Sequence, residues 1–149
     1  MMSDRRVFID TNILIHANAI QSPVHVQAKN HLALISGEFD ELWISVQVVR
    51  EYMATKSRLT FLANTYDANE ILLDVKEFEN IFIIASNDLI TQNELLKLAV
   101  KYEVKGKQIH DCNLIATMLQ YGIANILTQN VGDFNRYEPE GINIIPLII

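Results

Sequence analysis

The sequence holds one cysteine, Cys112, in 149 residues. An internal disulfide framework is excluded, and such thiol usage fits a reducing cytosol, so a cytoplasmic protein is expected. No segment approaches the roughly 20 apolar residues needed to span a bilayer, so no membrane role is expected. The opening Met1-Met2-Ser3-Asp4-Arg5-Arg6 leads into an apolar run too short for a signal peptide. Positive charge is also scarce, with 12 Lys and Arg against 18 Asp and Glu and a formal net charge of −6. This balance disfavours indiscriminate binding to nucleic acid, but not a site built from acids that metal neutralises. There is no repeat, low-complexity tract or Gly/Ser linker, and the 50% hydrophobic content is ample for one core. The expectation is one domain, 1–149.

What the chain does have is a stretch around which the rest is organised, Val7-Phe8-Ile9-Asp10-Thr11-Asn12. Three apolar residues, two of them β-branched, read as a short buried strand. The strand stops on a carboxylate, and in open α/β folds the carboxyl edge of the sheet is where ligands bind. Asp10 or Thr11 could equally cap the helix that follows.

The rest of the chain alternates between helix and strand patterns. Ile13 to Ala19 reads as helical, and Pro23 restarts a helix to about Ile35, stopped by Ser36-Gly37. Leu42 to Ser45 is a second strand, and Ser45 can cap a helix with Val46, Val49 and Met53 as its inward stripe. A helix over Tyr66 to Phe78 precedes a third strand, Ile81 to Ala85. Thr91-Gln92-Asn93-Glu94 has capping-box form and opens a helix with Leu95, Leu98, Ala99 and Tyr102 on one face. After the polar turn Lys105-Gly106-Lys107, a helix spans His110 to Tyr121 and closes at Gly122. Asn125 to Thr128 and Ile142 to Ile145 are the last strands, with a short turn or helix at Asp133-Phe134 between them. The ending from Ile144 to Ile149 reads as an edge strand. This alternation predicts an α/β fold, a central parallel sheet of about five strands sandwiched between helical layers.

In such a fold, strands run toward one edge and a helix leading into a parallel strand starts from it. Asp10 ends the first strand, and Glu51 lies near the start of the helix leaving the second. Asp111 is in the first turn of the helix entering the fourth strand, and Asp133 lies just beyond that strand. Topology thus brings all four acids to one edge. Asp111 also shares the apolar face of Leu114, Ile115, Met118 and Leu119, where a carboxylate is costly unless paired, protonated or bound to metal. A first-turn acid complementing the helix dipole is the plainer alternative. Acids without His or thiolate partners are oxygen-only ligands, which favour Mg²⁺ or Mn²⁺ over zinc. Thr11, Asn12, Thr128 and Asn130 could orient those ligands or water from behind.

Other signals carry less. His110 and Cys112 flank Asp111 but point about 200° apart on a helix, so they do not pair as base and nucleophile. Cys112 reads as a small core residue, and His16, His25 and His31 show no ligand spacing. Lys101, Lys105, Lys107 and Arg136 could contact phosphate from beside the acidic edge, or form an ordinary solvated face.

Together the hydrophobic-Asp-Thr-Asn opening, the Ser45-to-Glu51 stretch, His110-Asp111-Cys112 and Thr128-Gln129-Asn130-Val131-Gly132-Asp133-Phe134 resemble the PIN domain family. The match is closest to its single-domain VapC-type ribonuclease toxins and runs essentially from end to end. The resemblance implies a three-layer α/β/α sandwich and an Mg²⁺- or Mn²⁺-dependent endoribonuclease acting on RNA. It also implies homodimerisation near the early helices, Ile13 to Leu34, and inhibition by a cognate antitoxin. Asp10, Glu51 and Asp111 carry over as metal ligands and catalytic residues, with Asp133 as the fourth. Some members place that acid where this chain has Asn130, which would leave Asp133 supporting the ligands from behind or acting through water. A haloacid-dehalogenase-type phosphatase would need a second Asp where Asn12 stands, and a receiver domain would need its Asp after the third strand. The alternative from another class is a PIN-like module that binds RNA or a protein partner without cleaving.

Overall fold

Val7, Phe8 and Ile9 have no exposed surface, because their strand, β1 (Arg6–Ile9), lies at the centre of a five-stranded sheet. This is a computed structural model, and it describes residues 4–147. The expectations for Met1–Ser3 and for the last two residues of the ending fall outside the described residues.

The remaining strands are β2 (Glu41–Ser45), β3 (Ile83–Ala85), β4 (Asn125–Thr128) and β5 (Asn143–Pro146), in the order β3-β2-β1-β4-β5. Every pairing is parallel, with Val7 level with both Leu42 and Asn125. The helices are α1 (Thr11–Asn18), α2 (His25–Glu38), α3 (Val46–Leu62), α4 (Ala68–Ile81), α5 (Leu89–Lys101), α6 (Gln108–Tyr121) and α7 (Val131–Phe134). A 3-10 turn, Asn135–Glu140, leads on to β5.

Connections from β1 to β2 and from β2 to β3 step one way, and the connection from β3 to β4 steps back. Right-handed crossovers therefore send α1–α4 to one face and α5–α6 to the other. The packing agrees, with α1 against α2 and α3, α3 against α4, and α5 against α6. The expected three-layer α/β/α sandwich is the fold observed. Beside β1, the exits of β1 and β4 part toward opposite layers, so the sheet's switch point lies between the ends of these two strands.

Several local expectations shift. The inward face of α3 is Gln47, Val48, Tyr52 and Lys56, whereas Val46 and Met53 are 41% and 45% exposed. The Tyr52 ring meets Phe78 edge-on at 4.8 Å and turns the helix by one position. Gln47 and Lys56 were invisible to an apolar stripe because both are buried with hydrogen bonds. The N-cap of α5 is Asp88, not Thr91: Asp88 Oδ1 accepts from the Ile90 and Thr91 N–H groups, and the Thr91 hydroxyl accepts the Asp88 N–H. Ser36 and Gly37 lie inside α2, which runs on to Glu38. It ends where Phe39 packs on the core and the Asp40 N–H reaches Arg5 O at 2.8 Å. Asp67 caps α4, so that helix starts at Ala68 and ends at Ile81, both later than expected, and β3 begins at Ile83. Gly122 closes α6 as expected, in the left-handed region at φ 72°.

The stretch from Ser86 to Ile90 reverses the chain by running down α6. Asn87 Nδ2 donates to Thr117 Oγ1 at 2.9 Å, and Gln120 Nε2 donates to Asp88 Oδ1 at 3.0 Å. The start of α5 thus lies beside the end of α6, and α5 climbs antiparallel to it, so that α6 begins back at the carboxyl edge.

Candidate active site

Asp10 is 6% exposed at the end of β1, and its two carboxylate oxygens have different tasks. Oδ1 accepts from the Thr11 N–H at 2.8 Å, which caps α1. Oδ2 accepts from Thr128 Oγ1 at 2.7 Å and from Asn12 Nδ2 at 3.0 Å. Capping and edge placement are therefore both realised in one side chain. Burial holds the Asp10 carboxyl above its ordinary range; the Thr128, Thr11 and Asn12 donors oppose the rise, and the charge of Asp133 adds to it.

The loop after β4 is built onto the same group. Asn130 N–H donates to Thr128 Oγ1 at 2.9 Å, and Gln129 N–H donates to Asn12 Oδ1 at 3.2 Å. His16 sits between Ser22 Oγ (2.6 Å) and Gln129 Oε1 (2.7 Å), so both of its ring nitrogens are engaged.

Asp111 is partly buried in the first turn of α6. Its carboxyl is pushed up to about 7, first by burial and then by the charges of Asp10, Asp133 and Glu51, with His110 opposing. The four acids thus share one electrostatic neighbourhood. Glu51, partly buried on α3, is raised by burial and by Asp10, against Gln47 and Arg50. Asp133 lies exposed on α7, next to buried Phe134.

Among the described residues, no group of three or more His, Cys, Asp or Glu side chains is placed so that it could hold a metal ion as it stands. The donors nonetheless fit a hard divalent cation. All are oxygens, and Glu51 Oε1 and Thr11 Oγ1 are the buried side-chain atoms that find no hydrogen-bond partner among the described residues. A buried carboxylate oxygen without a donor is costly, and a cation would relieve it.

The basic residues beside the edge are partly engaged elsewhere. Lys101 pairs with Glu140 at 2.6 Å, and Arg136 Nη1 donates to Tyr102 O at 3.1 Å. Lys105 and Lys107 are exposed. Cys112 is fully buried in the core. Sequence reading missed Gln47, whose amide sits between α3 and α6. Its position one turn before Glu51 was the available signal.

Fold and site define a parallel α/β protein with a carboxylate cluster at the sheet's switch point. The PIN domain family model matches residues 7–138, and the chain belongs to that family. Comparison with curated protein sequences gives no match. Among solved structures, VapBC2 from Rickettsia felis, bound to a DNA fragment from its promoter, is similar with a TM-score of 0.67 at 16% identity. That alignment covers 95% of this chain and 98% of the other. A toxin–antitoxin complex from Klebsiella pneumoniae gives 0.62 at 20% identity, covering 95% and 98%. The sarcin–ricin loop cleaving toxin VapC20 of Mycobacterium tuberculosis gives 0.62 at 15%, covering 80% and 86%. At these identities the likeness is one of fold.

Proposed function

We propose that this chain is a single-domain, Mg²⁺- or Mn²⁺-dependent endoribonuclease, the cytoplasmic toxin of a toxin–antitoxin pair. The observation that carries the reading is the buried Glu51 Oε1 that finds no hydrogen-bond partner among the described residues, together with Asp111, raised by burial and then by the charges of Asp10, Asp133 and Glu51. Structural acids are seldom gathered in this way, whereas a polyvalent-cation site requires it.

In this reading Asp10, Glu51 and Asp111 hold the ion, and Asp133 completes the set directly or through water. When bound, a divalent ion there would activate water and stabilise the charge of an in-line phosphodiester displacement. The protein's own part is positioning. Thr128 and Asn12 fix Asp10 Oδ2, and the Asn130 N–H fixes the Thr128 hydroxyl in turn. Asp111 can carry a proton at neutral pH in the metal-free protein and release it when the site is filled.

Family membership and the toxin–antitoxin complexes that share the fold support an RNA substrate and an antitoxin partner. A homodimer is part of the same reading. Ile13, Leu14 and Ile15 are spent in the chain's own core, which leaves Val26 and Leu34 on α2, 63% and 50% exposed, as the apolar residues available to it.

The test is a cleavage assay on structured and single-stranded RNA, with Mn²⁺, with Mg²⁺ and in EDTA. Cleavage only with metal is expected. RNA or partner binding without cleavage under any metal would replace this reading with a non-cleaving PIN-like module.

A further inference from the structure

We propose that Gln47 is a positioning residue of the acidic site, its amide setting the spacing between the helix that carries Glu51 and the helix that carries Asp111. The inference rests on the metal-dependent reading above and names a residue that reading does not use.

Gln47 is 4% exposed at the carboxyl edge, two residues beyond β2. Its Nε2 donates to the His110 carbonyl at 2.8 Å, the peptide that joins His110 to Asp111. Its Oε1 accepts from Asn113 Nδ2 at 2.6 Å. One amide therefore grips α6 on both sides of Asp111. On its own helix Gln47 stands one turn before Glu51, on the same face, and its amide opposes the rise in Glu51's pKa.

The two helices belong to opposite layers, with the sheet between them. Both pack into the core through Val48 and Tyr52 on one side and Leu114 and Ile115 on the other, and at this edge the Gln47 amide adds a direct link between them. Among the described residues, the side-chain hydrogen bonds between α3 and α6 both run through Gln47. Asn113 extends the link, with Nδ2 at 3.5 Å from Asn87 Oδ1. A planar group that both donates and accepts is what fixes a distance and an angle.

The experiment uses the full chain, stripped with EDTA and titrated with MnCl₂ while its melting temperature is followed. Gln47→Met keeps the side-chain length and removes both bonds. Its Mn²⁺ midpoint should rise about tenfold or more, as when a group supporting a ligand is lost. Asn113→Ala removes one of the two bonds and should give a smaller rise in the same direction. Because Asn113 is only partly buried, this variant carries the test if Gln47→Met does not fold. A merely structural amide would lower the metal-free melting temperature and leave the midpoint unchanged. Midpoints within about twofold of wild type for the folded variants overturn the proposal, given the tenfold scale of such effects. Asp111→Asn separates the two levels. If it also leaves the Mn²⁺ response intact, the metal site itself is wrong; if it alone abolishes the response, only the role of Gln47 fails.

Discussion

The Thr128 hydroxyl donates to Asp10 Oδ2 at 2.7 Å across 118 positions of sequence. This bond joins the ends of β1 and β4, the two parallel strands whose exits part toward opposite layers. With the Thr11 N–H and Asn12 Nδ2 it offsets the burial of the Asp10 carboxylate, and Thr128, fully buried, also accepts the Asn130 N–H.

Thr128→Val keeps the shape and removes that donor and acceptor. Asp10 Oδ2 and the Asn130 N–H each lose a partner, so the variant should be less stable by about 1–3 kcal/mol. Urea denaturation at neutral pH measures it, and a loss of a few tenths would show the bond to be dispensable.

Asp10→Asn and Asp111→Asn should each remain folded and lose RNA cleavage by about 100-fold or more, the scale seen when one charge-stabilising group is removed. Rates in excess Mn²⁺, with circular dichroism as the check on folding, decide it. Either variant cutting near the wild-type rate would contradict the site assignment.

The raised Asp111 carboxyl makes stability depend on pH with a definite sign. Below its ordinary value of 3.8 the group is protonated in both folded and unfolded chains and costs nothing. As pH rises toward about 7 the unfolded chain ionises first, and the folded state bears a growing penalty that is complete above that value. Asp111→Asn should therefore raise the melting temperature in EDTA near pH 8 by several degrees, reflecting a penalty on the order of a few kcal/mol. The gain should shrink steadily below about pH 7 and vanish only near the ordinary value of 3.8, and it should shrink or reverse in millimolar Mn²⁺, where wild type gains more from the ion. Equal destabilisation under all conditions would make Asp111 a structural acid.

Light scattering at micromolar concentration should give twice the chain mass of 17.0 kDa. Val26→Glu with Leu34→Glu, both on the exposed side of α2, should return the protein to a monomer, as closed two-fold interfaces lose both copies of a contact at once. A wild-type monomer would remove the dimer from the proposed function.

Much of this protein was legible in the sequence because its signals are local. Val7-Phe8-Ile9 must be buried on both faces to account for its composition, and Gly122 ends α6 because a left-handed residue closes a helix most cheaply without a Cβ. The alternation of strands and helices fixed a parallel sheet, and a parallel sheet sent Asp10, Glu51, Asp111 and Asp133 toward one edge. The tertiary structure decided what depends on partners distant in sequence. Tyr52 against Phe78 turned α3 by one position, so Val46 and Met53 faced solvent while Gln47 and Lys56 went inside. Asp88 took the cap from Thr91, whose side chain bonds Gln120 of the neighbouring helix. Gln47 shows the boundary most clearly. A polar residue on a helix is ordinary until a carbonyl 63 positions away and an amide 66 positions away arrive to satisfy it. Hydrogen bonds are directional and short, so only the assembled layers determine which buried polar groups find them.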